Sequence, residues 1–519
     1  MNPPLVWCVG GVDSSGGAGL TRDAITLADI GVKAAMITTQ IAIQSNKHSH
    51  SQQALEASAI NTQWQTLGYE QYPCAIKIGA IADDIQGLLL CARMSLLNDD
   101  INDSENNAPV SPYDTLTRRD TPFVIWDPVL RTSSGGTLSA LHDDTIRALL
   151  SNVQVVTPNI DELCVLSKKP IHSHASLLQA ATSLSTAYRI AVLVKGGHAS
   201  WQENAVDVLV CGTQHRIFTQ QKKGHNTLRG TGCMLASALA GFMAKGYNLE
   251  DAATLANAYI KTVRTAVTAS QNDIAHAVPV GMPCNAKHFP AVAFENDSLM
   301  FRDVTRTNTK ALSAFPALTH TELGIYPVVD SAKWVGTLTQ AGVNIIQLRL
   351  KDAPRTTREA EIRQAIKYVG GTDTQLFIND DWQLAIALGA YGVHLGQEDL
   401  AKADLNAIAQ AGLRLGISTH GFCELQRIKA LNPSYIALGH IFPTQTKQMP
   451  SSPQGLDNLR RYVQLCGTTP TVAIGGISTS RARPVSETGV SAIAVVSAIT
   501  QAPDPEAALH RLAQEACYA

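Results

Sequence analysis

The feature that most constrains this chain is a pattern that occurs eight times between residues 319 and 519. Each repeat is a short apolar run followed by enough chain for a helix. The predicted strands are 324–329, 344–350, 375–378, 392–395, 414–418, 435–438, 471–474 and 492–496. Eight β/α repeats in about 200 residues predict a closed (β/α)8 barrel. An open, doubly wound sheet is the alternative that the pattern leaves.

The first half also alternates strands and helices, but less regularly. Its predicted strands are 6–9, 34–38, 75–78, 123–126, 153–157 and 191–194, and its clearest helical stretches are 19–30, 137–150 and 232–245. Apolar strands that alternate with helices predict a parallel sheet covered on both faces, which is a doubly wound α/β domain. The polar stretch 98–121 is predicted to be a surface insertion.

These two rhythms divide the chain into an α/β domain over 1–285 and a barrel over 319–519. The stretch 286–318 has scattered Pro, Asn and Thr without a sustained period, so we interpret it as the linker. A length of 519 residues is compatible with two large domains as well as three of ordinary size.

Charge and composition exclude several classes of partner. The formal net charge is −2, which does not favour nucleic acid or an anionic membrane surface. The apolar stretches 231–244 and 490–500 are shorter than the ~20 residues that span a bilayer. A secretory signal has basic residues before its apolar run, and the start of this chain has none. The ten cysteines form no CxxC pair. We therefore predict a cytoplasmic protein that acts on small molecules, with a homo-oligomer left open.

Polar residues cluster at the predicted strand ends of the second half, where barrel enzymes keep their active sites. Alternation puts Gln347, Arg349 and Lys351 on one face. Asp380 and Asp399 follow the next two strands and are carboxylates of the kind that bind Mg²⁺. Gly-Gly at 475–476 and Val-Ser at 496–497 follow the last two strands, the usual phosphate site of such barrels. Each piece has a simpler interpretation: a charged strand edge, a helix cap at Asp380 or the Asp after it, or a turn.

Eight motifs in order resemble thiamine-phosphate synthase: YPVVD (326–330), QLRLK (347–351), FINDD (377–381), GVHLGQED (392–399), GISTH (416–420), ALGHIFPTQTK (437–447), AIGGI (473–477) and AVVSAI (494–499). The resemblance implies a dissociative reaction in which diphosphate leaves a pyrimidine methylene and a thiazole nitrogen captures the cation. One departure is Tyr391, where many family members have Asp.

The resemblance also implies a role for each matching residue of the barrel. Asp380 and Asp399 would bind Mg²⁺. Residues implied to hold the pyrimidine diphosphate are Gln347, Leu348, Arg349, Leu350, Lys351, Asn379, Ser418 and Lys447. Among them, Arg349, Lys351 and Lys447 would stabilise the departing charge. Residues implied to hold the thiazole phosphate are Thr444, Gln445, Thr446, Gly476, Val496 and Ser497.

Two glycine-rich loops in the first half open predicted helices, at 10–19 and at 230–233. Backbone amides at such positions attract anions, although each loop could also be no more than a tight helix start. Lys-Gly-Gly-His at 195–198 could equally be a turn, and Asn-Ile-Asp-Glu at 159–162 reads by itself as a helix cap with acidic first-turn residues.

In order, the segments GGVDSSGGAG (10–19), KIGA (77–80), DPVL (127–130), TPNIDE (157–162), VKGGH (194–198) and GTGC (230–233) resemble hydroxymethylpyrimidine and phosphomethylpyrimidine kinases of the ribokinase-like superfamily. The resemblance implies ATP and Mg²⁺. The implied pyrimidine contacts are Asp23 and Gln44, the implied metal and phosphate residues are Asp127, Asn159, Glu162 and Lys195, and the implied anion hole is Gly230, Thr231 and Gly232. Cys233 stands where most of the superfamily has a catalytic Asp, either as a base or as a positioning group.

This half departs from its family more often than the barrel does. Many relatives have His immediately before GTGC, where this chain has Leu228-Arg229, and KIGA replaces the more usual KIGM. Two alternatives therefore remain open for the first half. It could be a non-catalytic binding module, or a kinase for a pyridoxal-like alcohol, which Gln44 does not favour.

Overall fold

The computed structural model describes residues 3–45, 48–99, 121–130, 138–197, 199–222, 228–267, 278–295, 297, 314–444 and 452–518. The chain divides into two compact units, Met1–Thr305 and Arg306–Ala519. No helix within the described ranges is both long enough and apolar enough to cross a membrane.

The first unit is built around a ten-stranded sheet of order β10-β9-β8-β7-β6-β5-β4-β1-β2-β3. Its strands are β1 (Leu5–Asp13), β2 (Lys33–Gln44), β3 (Ser49–Ala54), β4 (Ala75–Ile78), β5 (Phe123–Trp126), β6 (Val155–Val156), β7 (Ala191–Val194), β8 (Ala205–Cys211), β9 (Gln214–Gln220) and β10 (Ala291–Phe294). The six strands expected from the sequence pair in parallel, which confirms the doubly wound centre. The antiparallel strands β3 and β8–β10 extend both edges and were not predicted.

Eight helices of the first unit are described: α1 (Gly19–Asp29), α2 (Ala57–Glu70), α3 (Asp84–Asp99), α4 (Asp143–Leu150), α5 (Ile160–Ser167), α6 (His174–Tyr188), α7 (Thr231–Ala244) and α8 (Leu249–Ala266). Helix α7 is buried over ten consecutive residues, because it is apolar on every side and packs against α1, α8 and the sheet. The helix predicted over 137–150 begins only at Asp143, since Ala140 forms a β-bridge with Asp83. The predicted insertion 98–121 lies almost entirely outside the described residues.

Both ends of the predicted linker 286–318 differ from the structure. Ala291–Phe294 is an edge strand of the first sheet, and the Arg216 guanidinium lies 3.7 Å from the centre of the Phe294 ring. Phe315 and Leu318 are buried in the second unit. A four-residue strand and two isolated apolar residues are too short to produce a visible period, so the sequence pattern missed them.

The second unit is a closed barrel of eight parallel strands paired in chain order, which confirms the predicted fold. Its strands are β11 (Gly324–Val329), β12 (Ile345–Leu348), β13 (Gln375–Asn379), β14 (Gly392–Leu395), β15 (Arg414–Thr419), β16 (Tyr435–Gly439), β17 (Thr471–Ile474) and β18 (Ala492–Val495). The helices are α9 (Ala332–Gln340), α10 (Arg355–Val369), α11 (Trp382–Leu388), α12 (Gln397–Leu400), α13 (Leu405–Gln410), α14 (Phe422–Lys429), α15 (Gly455–Cys466), α16 (Thr479–Ser486), α17 (Ser497–Thr500) and α18 (Pro505–Glu515).

Aromatic side chains fill the barrel interior. The Tyr435 ring lies 4.9 Å from the ring of Phe377 and 5.8 Å from that of Tyr326, both edge to face. Gly416 makes room for the Tyr435 ring, because a Cβ at residue 416 would lie 2.2 Å from its Cζ. The interior is therefore a packed core, and ligands have access only at its ends.

Candidate active sites

Two carboxylates meet at the carboxyl end of the barrel strands. Asp380 follows β13, and Asp399 lies in α12, directly after β14. Desolvation, followed by the charge of Asp399, raises the pKa of Asp380 to about 6. Two carboxylates held this close repel each other unless a proton or a cation lies between them, so the pair fits a hard divalent cation.

The neighbouring Asp381 serves a different purpose. It occupies the N-cap position of α11 without a side-chain capping bond, and it pairs instead with Arg358 at 2.9 Å. One of the two adjacent aspartates was expected to cap the next helix. Asp381 occupies that N-cap position, although its side chain makes no capping hydrogen bond. Asp380 has a positive φ of 63° and receives a hydrogen bond from the Asn379 amide, so its carboxylate stays at the mouth.

Amide and cationic side chains lie within and after the end of β12, at the same mouth. The charge of Arg349 partly offsets the rise in the pKa of Asp380 and adds to the burial that lowers the pKa of His394, so its guanidinium lies within electrostatic reach of each. Lys351 is exposed, whereas Gln347 is buried and donates to the hydroxyl of Tyr326 at 3.4 Å. Leu348 is 1% exposed with its side chain in the core, so it can meet a ligand only through its backbone.

Ser418 lies at the mouth on β15 and is fixed on two sides. Its Oγ lies 2.7 Å from Nε2 of His394, and its backbone carbonyl accepts from the Gln397 side chain at 2.7 Å. Arg427 in turn donates to the Gln397 oxygen at 2.8 Å. Burial lowers the pKa of His394 to about 3, so this imidazole is neutral. The sequence motif contained His394, but no pattern indicated that it contacts Ser418.

The described members of the predicted thiazole-phosphate set lie around the ends of β16, β17 and β18. Gly476 has a positive φ of 65°, and a Cβ there would lie 2.5 Å from the carbonyl oxygen of Pro443. Val496 and Ser497 form the junction between β18 and α17, and Thr444 follows β16. The remaining predicted residues of this loop, Gln445, Thr446 and Lys447, lie outside the described residues.

In the first unit, a lysine and two carboxylates form a buried cluster near the carboxyl ends of β5 to β7. Lys195 Nζ lies 2.6 Å from Asp127 and 3.8 Å from Glu162. Burial disfavours the charge of Asp127, but Lys195 outweighs it and lowers its pKa, whereas burial raises the pKa of Glu162 to about 7. Asn159 and Glu162 cap α5 reciprocally, with two hydrogen bonds of 2.8 Å.

One atom of this cluster is unsatisfied. Oδ1 of Asp127 accepts from both Lys195 and Thr157, but Oδ2 is buried without a partner among the described residues. An unpaired buried carboxylate oxygen is costly unless a ligand completes it. The donor set of Asp127 and Glu162 therefore fits a divalent cation.

The second glycine loop lies directly beside this cluster. Gly230 has a positive φ of 71°, and a Cβ there would lie 2.3 Å from the Gly17 carbonyl of the first loop. A Cβ on Gly232 would lie 3.3 Å from Lys195 Nζ. The start of α7 thus brings free backbone amides next to an ammonium group, an arrangement suited to a phosphate. Burial raises the pKa of Cys233 to about 12, so its thiol is protonated at neutral pH.

The two predicted pyrimidine contacts differ in the structure. Oε1 of Gln44 is buried without a partner among the described residues, as expected for an acceptor that awaits a ligand amino group. Asp23 is fully buried instead, and its two oxygens accept from Lys77 and Ser237 at 2.7–3.1 Å. Both of its oxygens therefore have partners within the fold, and its role in binding the pyrimidine stays a prediction.

Sequence reasoning missed two cations near the first site. Lys77 is fully buried against Asp23, and that carboxylate outweighs desolvation and raises its pKa. Arg229 donates to the carbonyl of Ser45 at 2.9 Å and lies 3.9 Å from Asp13. In the sequence, only the position of Arg229 directly before Gly230 indicated that it lies near this site.

Comparisons with known proteins match both units. The profile of the thiamine monophosphate synthase family matches residues 321–499, and that of phosphomethylpyrimidine kinase matches 13–94 and 108–278. Thiamine-phosphate synthase of Serratia proteamaculans is 58% identical over 206 residues, which cover 40% of this chain and 97% of that protein. The enzyme of Photorhabdus laumondii is 61% identical over 188 residues, 36% of this chain and 87% of its own length.

Solved structures match as well. Phosphomethylpyrimidine kinase from Clostridium difficile is 24% identical, with 50% of this chain and 97% of that chain covered and a TM-score of 0.39. Pyridoxal kinase from Staphylococcus aureus is 21% identical, with 56% and 98% covered and a TM-score of 0.45. Thiamine phosphate pyrophosphorylase from Pyrococcus furiosus is 31% identical, with 38% and 96% covered and a TM-score of 0.34. From the sequence relatives and family profiles, the chain belongs to the thiamine-phosphate synthase family through its second unit and to the phosphomethylpyrimidine kinase family through its first.

Proposed function

We propose that this chain catalyses consecutive stages of thiamine biosynthesis. The first unit phosphorylates 4-amino-5-hydroxymethyl-2-methylpyrimidine and then its monophosphate, with ATP as the donor. The barrel joins the resulting diphosphate to thiazole phosphate, and the products are thiamine phosphate and diphosphate. Both family matches support this order, because the product of one family's reaction is the substrate of the other's. The observation that carries the proposal is the pair Asp380 and Asp399 beside Arg349 at the barrel mouth.

In the barrel, the bond between the pyrimidine methylene and the diphosphate oxygen breaks, and its electron pair leaves with the diphosphate. The thiazole nitrogen then forms the new bond to the methylene. No side-chain nucleophile is needed, so the protein acts through positioning and charge. Arg349, Lys351 and Lys447 neutralise the charge that develops on the leaving group.

Binding of the two barrel substrates is divided around the mouth. Gln347, Asn379 and Ser418 orient the pyrimidine diphosphate, while the backbone from Gln347 to Lys351, including Leu348 and Leu350, contacts its phosphates. The thiazole phosphate is held by the strand-end loops with Thr444, Gln445, Thr446, Gly476, Val496 and Ser497. Asp380 and Asp399 hold Mg²⁺, which when bound neutralises diphosphate charge.

In the first unit, phosphoryl transfer likewise depends on positioning and neutralisation. Lys195 and the amides of Gly230, Thr231 and Gly232 receive nucleotide phosphate. Asp127, with Asn159 and Glu162, would hold Mg²⁺, which when bound would neutralise negative charge on the phosphates. The unpaired Gln44 oxygen accepts from the pyrimidine amino group. Cys233 acts as a positioning group, because its protonated thiol is a poor base.

The test is a single incubation of the purified full chain with hydroxymethylpyrimidine, ATP, Mg²⁺ and thiazole phosphate. We expect thiamine phosphate to accumulate, with ADP formed at two equivalents per product. Failure to form thiamine phosphate even from supplied pyrimidine diphosphate would reject the synthase assignment.

A second candidate keeps the synthase but makes the first unit a non-catalytic binding module. The combination of Lys195, Asp127 and Glu162 beside the Gly230 loop favours the kinase, because phosphoryl transfer needs both a phosphate-neutralising cation and metal ligands at one place. That candidate would be favoured if thiamine phosphate formed from supplied pyrimidine diphosphate but not from hydroxymethylpyrimidine with ATP.

A further inference from the structure

A continuous chain of hydrogen bonds runs through the barrel interior between two predicted pyrimidine contacts. Gln347 donates to Oη of Tyr326 at 3.4 Å, and that hydroxyl lies 2.8 Å from Oη of Tyr435. Tyr435 Oη lies 2.7 Å from Nδ1 of His394, whose Nε2 lies 2.7 Å from Oγ of Ser418. We refer to Gln347, Tyr326, Tyr435, His394 and Ser418 as the interior chain.

The middle of the interior chain is sealed from water. Tyr326 is 1% exposed, Tyr435 0% and His394 5%. Packing alone does not require their polar atoms, since the neighbouring Phe377 ring fills the same core without any. Buried polar groups of this kind are tolerated only when each is satisfied, and such networks then fix one geometry. The hydroxyls therefore serve the residues at the two ends.

We assign the donors so that every buried polar group of the interior chain is satisfied. In this assignment the Gln347 amide donates to Tyr326, Tyr326 donates to Tyr435, and Tyr435 donates to Nδ1 of His394, and each pair lies within hydrogen-bond distance. A neutral imidazole has one acceptor and one donor, so Nε2 carries the proton and donates to Ser418 Oγ. The Ser418 oxygen is thereby occupied as an acceptor, and its own proton is free to point toward the mouth.

We propose that Tyr435 and His394 are positioning residues that hold Ser418 as a hydrogen-bond donor to a ring nitrogen of the aminopyrimidine. The inference rests on the synthase function proposed above. An aminopyrimidine ring nitrogen is an acceptor, so a donor of fixed direction recognises it and disfavours rings with N–H at that position. Gln397 holds the backbone of Ser418 at the same time, so the hydroxyl is fixed by both its backbone and its side chain.

The test uses the full-length chain, supplied pyrimidine diphosphate and thiazole phosphate. Tyr435→Phe breaks the interior chain and keeps the ring, so we expect kcat/KM for the pyrimidine diphosphate to fall about tenfold, with KM for thiazole phosphate unchanged. Tyr326→Phe breaks the chain one link earlier and should act in the same direction. Tyr391→Phe is the matched control, because its hydroxyl bonds Thr319 at 2.9 Å at the opposite end of the barrel while its ring packs 5.6 Å from Phe377. We expect Tyr391→Phe to keep wild-type kinetics.

A double-mutant cycle separates positioning from general damage to the core. If Tyr435 acts through the Ser418 hydroxyl, Tyr435→Phe causes less than a twofold further loss in a Ser418→Ala background. An equal, additive loss in that background would overturn the proposal. So would wild-type kinetics of both Tyr435→Phe and Tyr326→Phe beside an active wild type. An inactive wild type would reject the synthase function itself, which is a distinguishable result.

Discussion

The two active sites differ in how they hold their charges. At the barrel mouth, Lys351 and Asp380 are exposed and follow separate strands, β12 and β13. In the first unit, Lys195 and Asp127 are already paired in the interior before any ligand binds. Exposed charges at the carboxyl ends of barrel strands lie where an active site is expected. A buried ion pair, in contrast, can either stabilise the fold or take part in the chemistry.

Two buried lysine–aspartate pairs in the first unit show how those uses are distinguished. Lys77 and Asp23 leave no carboxylate oxygen free, because Ser237 completes the pair. Lys195 and Asp127 leave Oδ2 without a partner among the described residues. The unpaired oxygen, rather than the ion pair, therefore marks the functional cluster.

The largest effect is expected from the barrel carboxylates. Asp380→Ala or Asp399→Ala should lower synthase kcat/KM by at least about 1000-fold, because each removes a ligand from the cation that neutralises the diphosphate. Pyrimidine phosphorylation by the same protein should be unchanged. Asp381→Ala is the control, since the Asp381 carboxylate forms an ion pair with Arg358. Synthase turnover within a few-fold of wild type in Asp399→Ala would contradict the metal assignment.

Substituting the two buried lysines of the first unit, Lys195 and Lys77, should affect different properties. Lys195→Met should lower both phosphorylation rates about 100-fold with the synthase intact, since it removes the charge beside the Gly230 loop. Lys77→Met should instead lower the free energy of unfolding of the first unit, by about 3–5 kcal/mol, because it strands the Asp23 charge. Kinase rates and urea unfolding of the two variants measure this. If folded Lys77→Met lost as much kinase activity as Lys195→Met, the assignment of Lys77 to a structural role would be wrong.

Acid should weaken the barrel through His394. Its folded pKa is about 3 and its unfolded value is about 6.5, so the stability it contributes is present above pH 6.5 and is lost as pH falls toward 3. Between pH 7 and pH 5 the loss is about 2 kcal/mol, roughly 30-fold in the folding equilibrium. Urea unfolding at the two pH values should show this slope in the wild type and a smaller slope in His394→Asn. Identical slopes would mean that His394 does not stay neutral.

A smaller effect is expected from Cys233. Cys233→Ala should lower kinase kcat about tenfold and leave the synthase unchanged, because a protonated thiol positions the loop but does not remove a proton. Cys233→Ser should retain most of the activity and the same pH profile between pH 6 and pH 9. A rate that rises with thiol ionisation in the wild type alone would make Cys233 a base.

The barrel was predictable because each of its strands is short, apolar and followed by a helix, and its site lies at the strand ends by rule. The edge strands of the first unit were not, since β3 is exposed throughout and β10 has only four residues. Resemblance identified Asp23 by residue type, and it could not show that Lys77 and Ser237 hold its carboxylate. The contact between His394 and Tyr435 joins positions 41 residues apart, so no local pattern could have indicated it.

We expect each unit to carry a complete and independent site. The most direct measurement is synthase kcat/KM of residues 306–519 expressed alone, compared with the full chain on preformed substrates. We expect a soluble fragment with a value within about threefold of the full chain, because every described synthase residue lies after Arg306. An insoluble fragment, or one at least ~100-fold slower, equivalent to ~2.7 kcal/mol of lost transition-state stabilisation, would contradict it.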